Sequence, residues 1–219
     1  GLIEAQLRQA VDNPMELLSR LKLIDPQGIE CSFGSPFPEQ VALIQALAER
    51  TEDDMPRYTN VNILKPRQIG FTTALAAWNF TYGYRSLDPV QTLVVAHEAE
   101  ASENIFRKLK HFHDSLPSML RRPLLRSNRK ELEFADTGAA FRCMTAGGRG
   151  HARSFTNQRA HLDEAAFMPG GGEDVYASVS ATIHPGPHQC LITSSTPNGP
   201  GGLFHRLCRQ GMEGEDPGT

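Results

Sequence analysis

"NILKPRQIGFTTALAAW", residues 62–78, decides the fold. The short apolar, β-branched run at 61–64 predicts a buried strand, and 72–84 carries Leu75, Trp78 and Tyr82 at helical spacing. Between them lies a loop ending in Gly70. Strand, Gly-containing loop and helix, in that order, are the context of a phosphate-binding loop, whose pattern is G-x-x-x-x-G-K-[ST]. Gly70 and Thr72 fit that pattern, but Phe71 stands where its lysine belongs. A helix N-terminus offers free N–H groups and partial positive charge to a phosphate. The hydroxyl of Thr72 falls where Mg²⁺ is ligated, and Thr73 adds a second hydroxyl. The missing charge has a replacement in Lys65, five residues before Gly70. A loop that wraps a phosphate brings its ends together, so a lysine entering from the first end reaches the same β/γ oxygens. Arg67, inside the loop, is a second cation. The plain alternative is a strand–turn–helix without a ligand.

The rest of the chain alternates strand and helix signals. A helix is predicted over 14–23, capped by Asn13, with Pro14 at its first position and Leu17, Leu18 and Leu21 on one face. "CSFGSPFP" reads as loop, and "EQVALIQALAER" as a second helix entered through Pro38. "QTLVVA" (91–96) is a buried strand, and Ala101, Ile105, Leu109, Phe112 and Leu116 line one side of a helix over 99–116. "ELEF" and "AFRCM" flank "ADTGA" as a hairpin. Strands end at 162 and 195, and a short helix covers 203–210. This order predicts an α/β fold with a mostly parallel sheet flanked by helices.

"RAHLDEAAFM" supplies the second half of a nucleotide-hydrolysis site. Asp163, at a strand end, would hold Mg²⁺ through its water shell, and Glu164 would polarise the attacking water. Arg159 and His161 interrupt the strand's apolar run, which predicts alternating exposure or an edge position. The separation from the loop fits two intervening strands. At the next strand end, Ser194, Ser195 and Thr196 are hydroxyl residues on the ligand edge of a parallel sheet, suited to sense a γ-phosphate. Turn chemistry alone would also favour them there.

In order, "KPRQIGFTT", "TLVVAHEAEASENIFRKL", "HLDEAAFM" and "ITSSTPNGPGGLFH" resemble the ATPase domain of the large terminase subunit, the DNA-packaging motor of tailed bacteriophages. The match spans about 40–206. The resemblance implies a P-loop NTPase of the ASCE/RecA-like type that binds ATP and Mg²⁺, with the loop lysine displaced to Lys65. It also implies a loop-lining role for Gln68 beside Gly70 and Phe71, an adenine contact from Gln40 in "PFPEQ", and a coupling motif at Ser194–Thr196. Arg67 matches an arginine often found in the loop. A finger reaching a neighbouring subunit's site would lie in "TAGGRGHARSF", at Arg149 or Arg153, and the sequence does not choose between them.

The partners so implied are double-stranded DNA, a portal protein, a small terminase subunit and further copies of the chain in a ring, in the host cytoplasm. The division implied is a helical extension at 1–36, the ATPase domain at 37–210, and a linker at 211–219 toward a C-terminal nuclease domain. Competing readings are a helicase-like ATPase and a P-loop relic that binds DNA or portal without hydrolysis.

Composition is that of an ordinary globular protein: 39% apolar, 21% charged, net charge −3. Cys31, Cys143, Cys190 and Cys208 lack zinc or disulfide spacing and read as buried thiols. Residues 107–130 hold eight of the 22 Lys and Arg, facing DNA phosphates or a neighbouring subunit, or simply solvent. "GGG" at 170–172 reads as a flexible loop.

Overall fold

Asn13 caps helix α1 (Pro14–Arg20): its Oδ1 accepts from the N–H groups of Met15 and Glu16 at 3.0 and 3.4 Å. This satisfies donors that a first helical turn leaves unpaired. The computed structural model describes residues 13–24, 28–32, 38–67, 70–147 and 156–213. The helix is shorter than expected. Leu21 turns extended, and β1 (Lys22–Ile24), which takes the last residues of the expected helix, pairs antiparallel with β2 (Glu30–Ser32), which runs into the start of the expected loop. Leu17, Leu18 and Leu21 join the largest core cluster together with Trp78 and Phe80. Helix α1 therefore packs on the same core as the residues after position 38.

Helix α2 (Pro38–Ala48) precedes β3 (Asn60–Leu64), helix α3 (Phe71–Arg85), β4 (Gln91–Ala96) and helix α4 (Ala99–Ser115). Then come β5 (Leu124–Ser127), β6 (Glu131–Phe134), β7 (Ala140–Thr145), β8 (Arg159–Asp163), helix α5 (Glu173–Ser180), β9 (Cys190–Ser195) and helix α6 (Gly202–Glu213). A seven-stranded sheet takes the order β3-β9-β8-β4-β7-β6-β5. From β3 to β7 its neighbours run parallel, and β6 and β5 add an antiparallel edge. The chain is thus an α/β protein with a mostly parallel sheet and the strand order of an ASCE P-loop NTPase, because β9 lies between the loop strand and the acidic strand.

Two expectations reverse here. β3 is an edge strand, so Leu64 is 51% exposed and only Ile63 is buried. β8 is central, between β4 and β9, and all five of its residues are buried. Its polar residues are compatible with that because each has a partner. The Arg159 guanidinium donates to Asn79 Oδ1 at 3.3 Å and lies 3.9 Å from the centroid of the Tyr82 ring. His161 is bonded to Ser194. Four strands, not two, intervene between β3 and β8 along the chain.

Phe80 sits at the centre of the main core, with the rings of Tyr84, Phe112, Phe134 and Phe141 at centroid distances of 5.7–6.3 Å. Burial of such side chains contributes about 1.5–3 kcal/mol each. Gly83 lets α3 approach this cluster, since a Cβ there would lie 2.7 Å from Phe141 Cζ. The Gly170–Gly172 segment is a tight turn in which all three glycines take left-handed, positive-φ geometry. Cys143 and Cys190 are buried as expected, but Cys31 is exposed. Among the described residues no helix is long and apolar enough to cross a membrane.

Candidate active site

Parallel pairing lines up the carboxyl ends of β3, β9, β8 and β4: Leu64 faces Ser195, Ser194 faces Asp163, and Asp163 faces Ala96. The Lys65 N–H donates to Ser195 O at 3.0 Å, carrying the ladder one residue past β3. That bond aims the Lys65 side chain across β9 toward β8. Its ammonium donates to Thr72 Oγ1 at 2.7 Å and Asp163 Oδ1 at 2.8 Å, and lies 3.0 Å from Glu164 Oε1. Lys65 and Asp163 are 5% and 4% exposed. A pair this buried is held only when charge and hydrogen bonds are both satisfied.

Gly70 ends the loop at φ +69° and caps α3, a conformation that favours glycine. The Gln40 amide lies against it, 3.1 Å from where a Cβ would stand. Phe71 packs into an apolar cluster with Ile63, Leu75, Cys190 and Ile192. Position 71 is therefore part of the core, and the cation that stands beside Thr72 is Lys65. Gln68, Arg149 and Arg153 lie outside the described residues.

Glu164 adopts left-handed geometry at φ 54°, a conformation that costs a non-glycine residue about 1–2 kcal/mol. It turns the carboxylate away from the strand. Glu164 Oε2 accepts from the Thr196 N–H at 3.0 Å, and from the Ser195 and Thr196 hydroxyls at 3.2 Å each. Burial alone would raise this carboxyl's pKa. The Thr196 N–H and the Lys65 ammonium outweigh burial and hold it below the ordinary glutamate value, so it is ionised at neutral pH. Asp163 follows the same balance. Burial raises it, while His161, Lys65 and the Ser194 hydroxyl lower it, with a net downward shift.

Ser194 donates to Asp163 Oδ1 at 3.0 Å and is bonded to His161 Nε2 at 2.8 Å. Burial lowers the His161 pKa to about 4, so the ring is neutral and Nε2 carries its proton. Neither Ser194 nor Ser195 lines the cavity. Of the three hydroxyl residues expected to sense a phosphate directly, Thr196 alone lines it among the described residues. The two serines brace the acids instead.

The cavity at this edge measures about 500 Å³ and is bounded by Lys65, Arg67, Gly70, Thr72, Thr73 and Glu164. Its wall also includes His97, Phe167 and Lys108, which motif reading misses. Lys108 has a faint sequence signal: it stands three residues after Ile105 and four before Phe112, on the flank of the buried stripe of α4. A larger cavity of about 670 Å³ lies along the outer edge of β3, away from both acids.

Three oxygens, from Thr72, Asp163 and Glu164, converge on one cationic point, the Lys65 ammonium. Hard oxygen donors in this number suit Mg²⁺, which ordinarily takes one or two carboxylates and completes its shell with water and phosphate. Among the described residues no group of three His, Cys, Asp or Glu could hold a metal unaided.

No known family's sequence profile matches the chain, and no curated protein matches it in sequence. Solved structures do match. The large terminase of bacteriophage HK97 superposes with a TM-score of 0.75 at 16% identity, over 94% of this chain and 42% of that one. A mutant ATPase domain of the Thermus phage P74-26 large terminase gives 0.57 at 17%, over 79% and 69%. The large terminase of a second thermophilic bacteriophage, in complex with ADP, gives 0.55 at 14%, over 80% and 42%. The chain spans less than half the length of the HK97 protein and of the ADP-bound one. At such identities the likeness is one of fold: this chain has the fold of the ATPase domain of phage large terminases.

Proposed function

We propose that this chain is the ATPase motor domain of a viral DNA-packaging terminase, which hydrolyses ATP to drive double-stranded DNA into a procapsid. The observation that carries this reading is the convergence of Lys65, Thr72, Asp163 and Glu164 at the carboxyl edge of the sheet. The three phage terminase structures support the motor context, and the ADP held by one of them supports the ligand class.

In this reading the triphosphate enters the cavity over the N-terminus of α3. Mg²⁺, when bound, neutralises charge on the phosphate oxygens, and Thr72 and Asp163 are the residues that hold it. Lys65 exchanges its carboxylates for phosphate oxygens. That frees Glu164, still ionised and still held by Thr196, to accept a proton from the attacking water. Arg67 faces the phosphates, Gln40 contacts the adenine, and Thr73 adds a second hydroxyl at the start of α3. The Glu164–Thr196 bond links the reacting group to the loop after β9, the route by which hydrolysis reaches DNA. Arg149 or Arg153 from a neighbouring copy completes the site in a ring docked on a portal protein, with a small terminase subunit delivering DNA.

The test is steady-state ATP hydrolysis against protein concentration, with Glu164→Gln as control. Turnover that rises steeply with concentration and vanishes in the variant supports a subunit completed by its neighbour. Turnover that is variant-sensitive but flat with concentration keeps the ATPase and removes the arginine in trans. Absence of turnover at every concentration returns the chain to a non-hydrolysing DNA- or portal-binding module.

A further inference from the structure

Lys108 carries a charge that the fold itself does not use. It projects from α4 into the same cavity wall as Lys65, Arg67 and Thr72. Its ammonium donates to Thr73 Oγ1 at 2.7 Å. Among the described residues no carboxylate stands within ion-pair distance of it. Burial lowers its pKa, and Lys65 and Arg107 lower it further, while the charge of Asp163 offsets only part of this. The contrast with Lys65 is informative, because Lys65 is answered by two carboxylates.

A half-buried ammonium without a counter-ion is costly unless an anion completes it. A bond to Thr73 does not explain the lysine, since a neutral amide would make it without the charge. An ammonium also has three hydrogens to donate, and Thr73 takes one. The other two remain beside a cavity whose neighbours are the residues of the phosphate loop. Position 71, from which a loop lysine ordinarily reaches the phosphates, is occupied by a phenylalanine packed into the core. Lys65 stands in for that cation, but in the free protein it is engaged by Asp163 and Glu164.

We infer that Lys108 is a phosphate-binding residue of this site: its ammonium takes an oxygen of the nucleotide's phosphate chain, as a second cation beside Lys65. The inference rests on the nucleotide reading above and deepens it. α4 thereby becomes part of the nucleotide site, although no recognised phosphate motif lies on it.

The experiment measures binding of MgADP and of a non-hydrolysable MgATP analogue by calorimetry, with melting curves of the free proteins, for wild type, Lys108→Met and Lys108→Arg. Lys108→Met keeps most of the stem and removes the ammonium, with its charge and its bond to Thr73. The expected result is at least about tenfold weaker binding of one or both nucleotides, as for loss of a charge-assisted hydrogen bond. Lys108→Arg recovers most of that affinity. The melting temperature of free Lys108→Met stays at or above that of wild type, because an uncompensated buried charge has gone. Binding by Lys108→Met within about twofold of wild type, while wild type binds normally, overturns the assignment and leaves the nucleotide reading intact. A lowered melting temperature in free Lys108→Met, shared by Lys108→Arg, makes the lysine structural and also overturns it. Failure of wild type to bind either nucleotide removes the reading and the assignment together.

Discussion

The Lys65 ammonium rests 2.8 Å from Asp163 Oδ1, joining the end of β3 to the end of β8 across the intervening strand β9. The two residues are 98 positions apart. In the nucleotide-free protein this pair serves the fold; in the proposed cycle the same lysine serves the phosphates.

Lys65→Met therefore has two effects. It removes turnover, and it leaves Asp163 buried without its main counter-charge. We expect a loss of about 3 kcal/mol in urea denaturation at neutral pH, the usual consequence of breaking a buried pair. Adding Asp163→Asn should recover most of that loss. A Lys65→Met protein within about 0.5 kcal/mol of wild type would show that the pair does not contribute to stability.

Thr196→Val tests the hold on Glu164. The hydroxyl donates to Glu164 Oε2, while the Thr196 N–H keeps its own bond to the same oxygen. Of the three donors to this oxygen one is lost, and the Thr196 N–H and the Ser195 hydroxyl stay. We expect kcat to fall about tenfold with KM within about twofold. A raised KM at unchanged kcat would place Thr196 in ground-state binding instead.

His161 gives the free protein a pH signature. Its folded pKa, about 4, lies below the ordinary 6.5 because the ring is buried. The unfolded chain therefore takes up a proton first as pH falls. The stability from keeping the ring neutral is complete above about pH 6.5 and is lost down to about pH 4. The loss over that window amounts to about 3 kcal/mol. Denaturation curves at intervals from pH 7 to 4 should show this slope in wild type and a much flatter one in His161→Asn. Equal slopes in the two proteins would sink the idea.

Gly83→Ala sets helix propensity against packing. Alanine is favoured over glycine inside a helix by about 1 kcal/mol. The new Cβ, however, would stand 2.7 Å from Cζ of Phe141, a ring fully buried in the aromatic cluster. We expect packing to win, with a net loss of about 1–2 kcal/mol and a lower melting temperature. A stabilised variant would mean that the cluster has room to shift.

Local chemistry made much of this legible in the sequence. The cap at Asn13, the strand–loop–helix around Gly70 and the acidic pair after a strand all depend on residues within a few positions of one another. Their order along the chain pointed to the fold that the terminase structures share. The polar interruptions at Arg159 and His161 misled for a physical reason. Exposure is inferred from polarity, but the partners that make burial tolerable, Asn79, Tyr82 and Ser194, lie far away in sequence. Lys108 was hidden in the same way, one basic residue in a run whose other members mostly face solvent.

The sequence by itself determined the α/β alternation, the displaced lysine and the identities of the two acids, because periodicity, capping and turn chemistry act over short range. Only the tertiary structure decided that β9 inserts between β3 and β8, that Ser194 and Ser195 brace the acids, and that a lysine on α4 faces the loop. Those outcomes depend on which strands pair and how burial is compensated, and both are set by contacts between residues that the chain holds far apart.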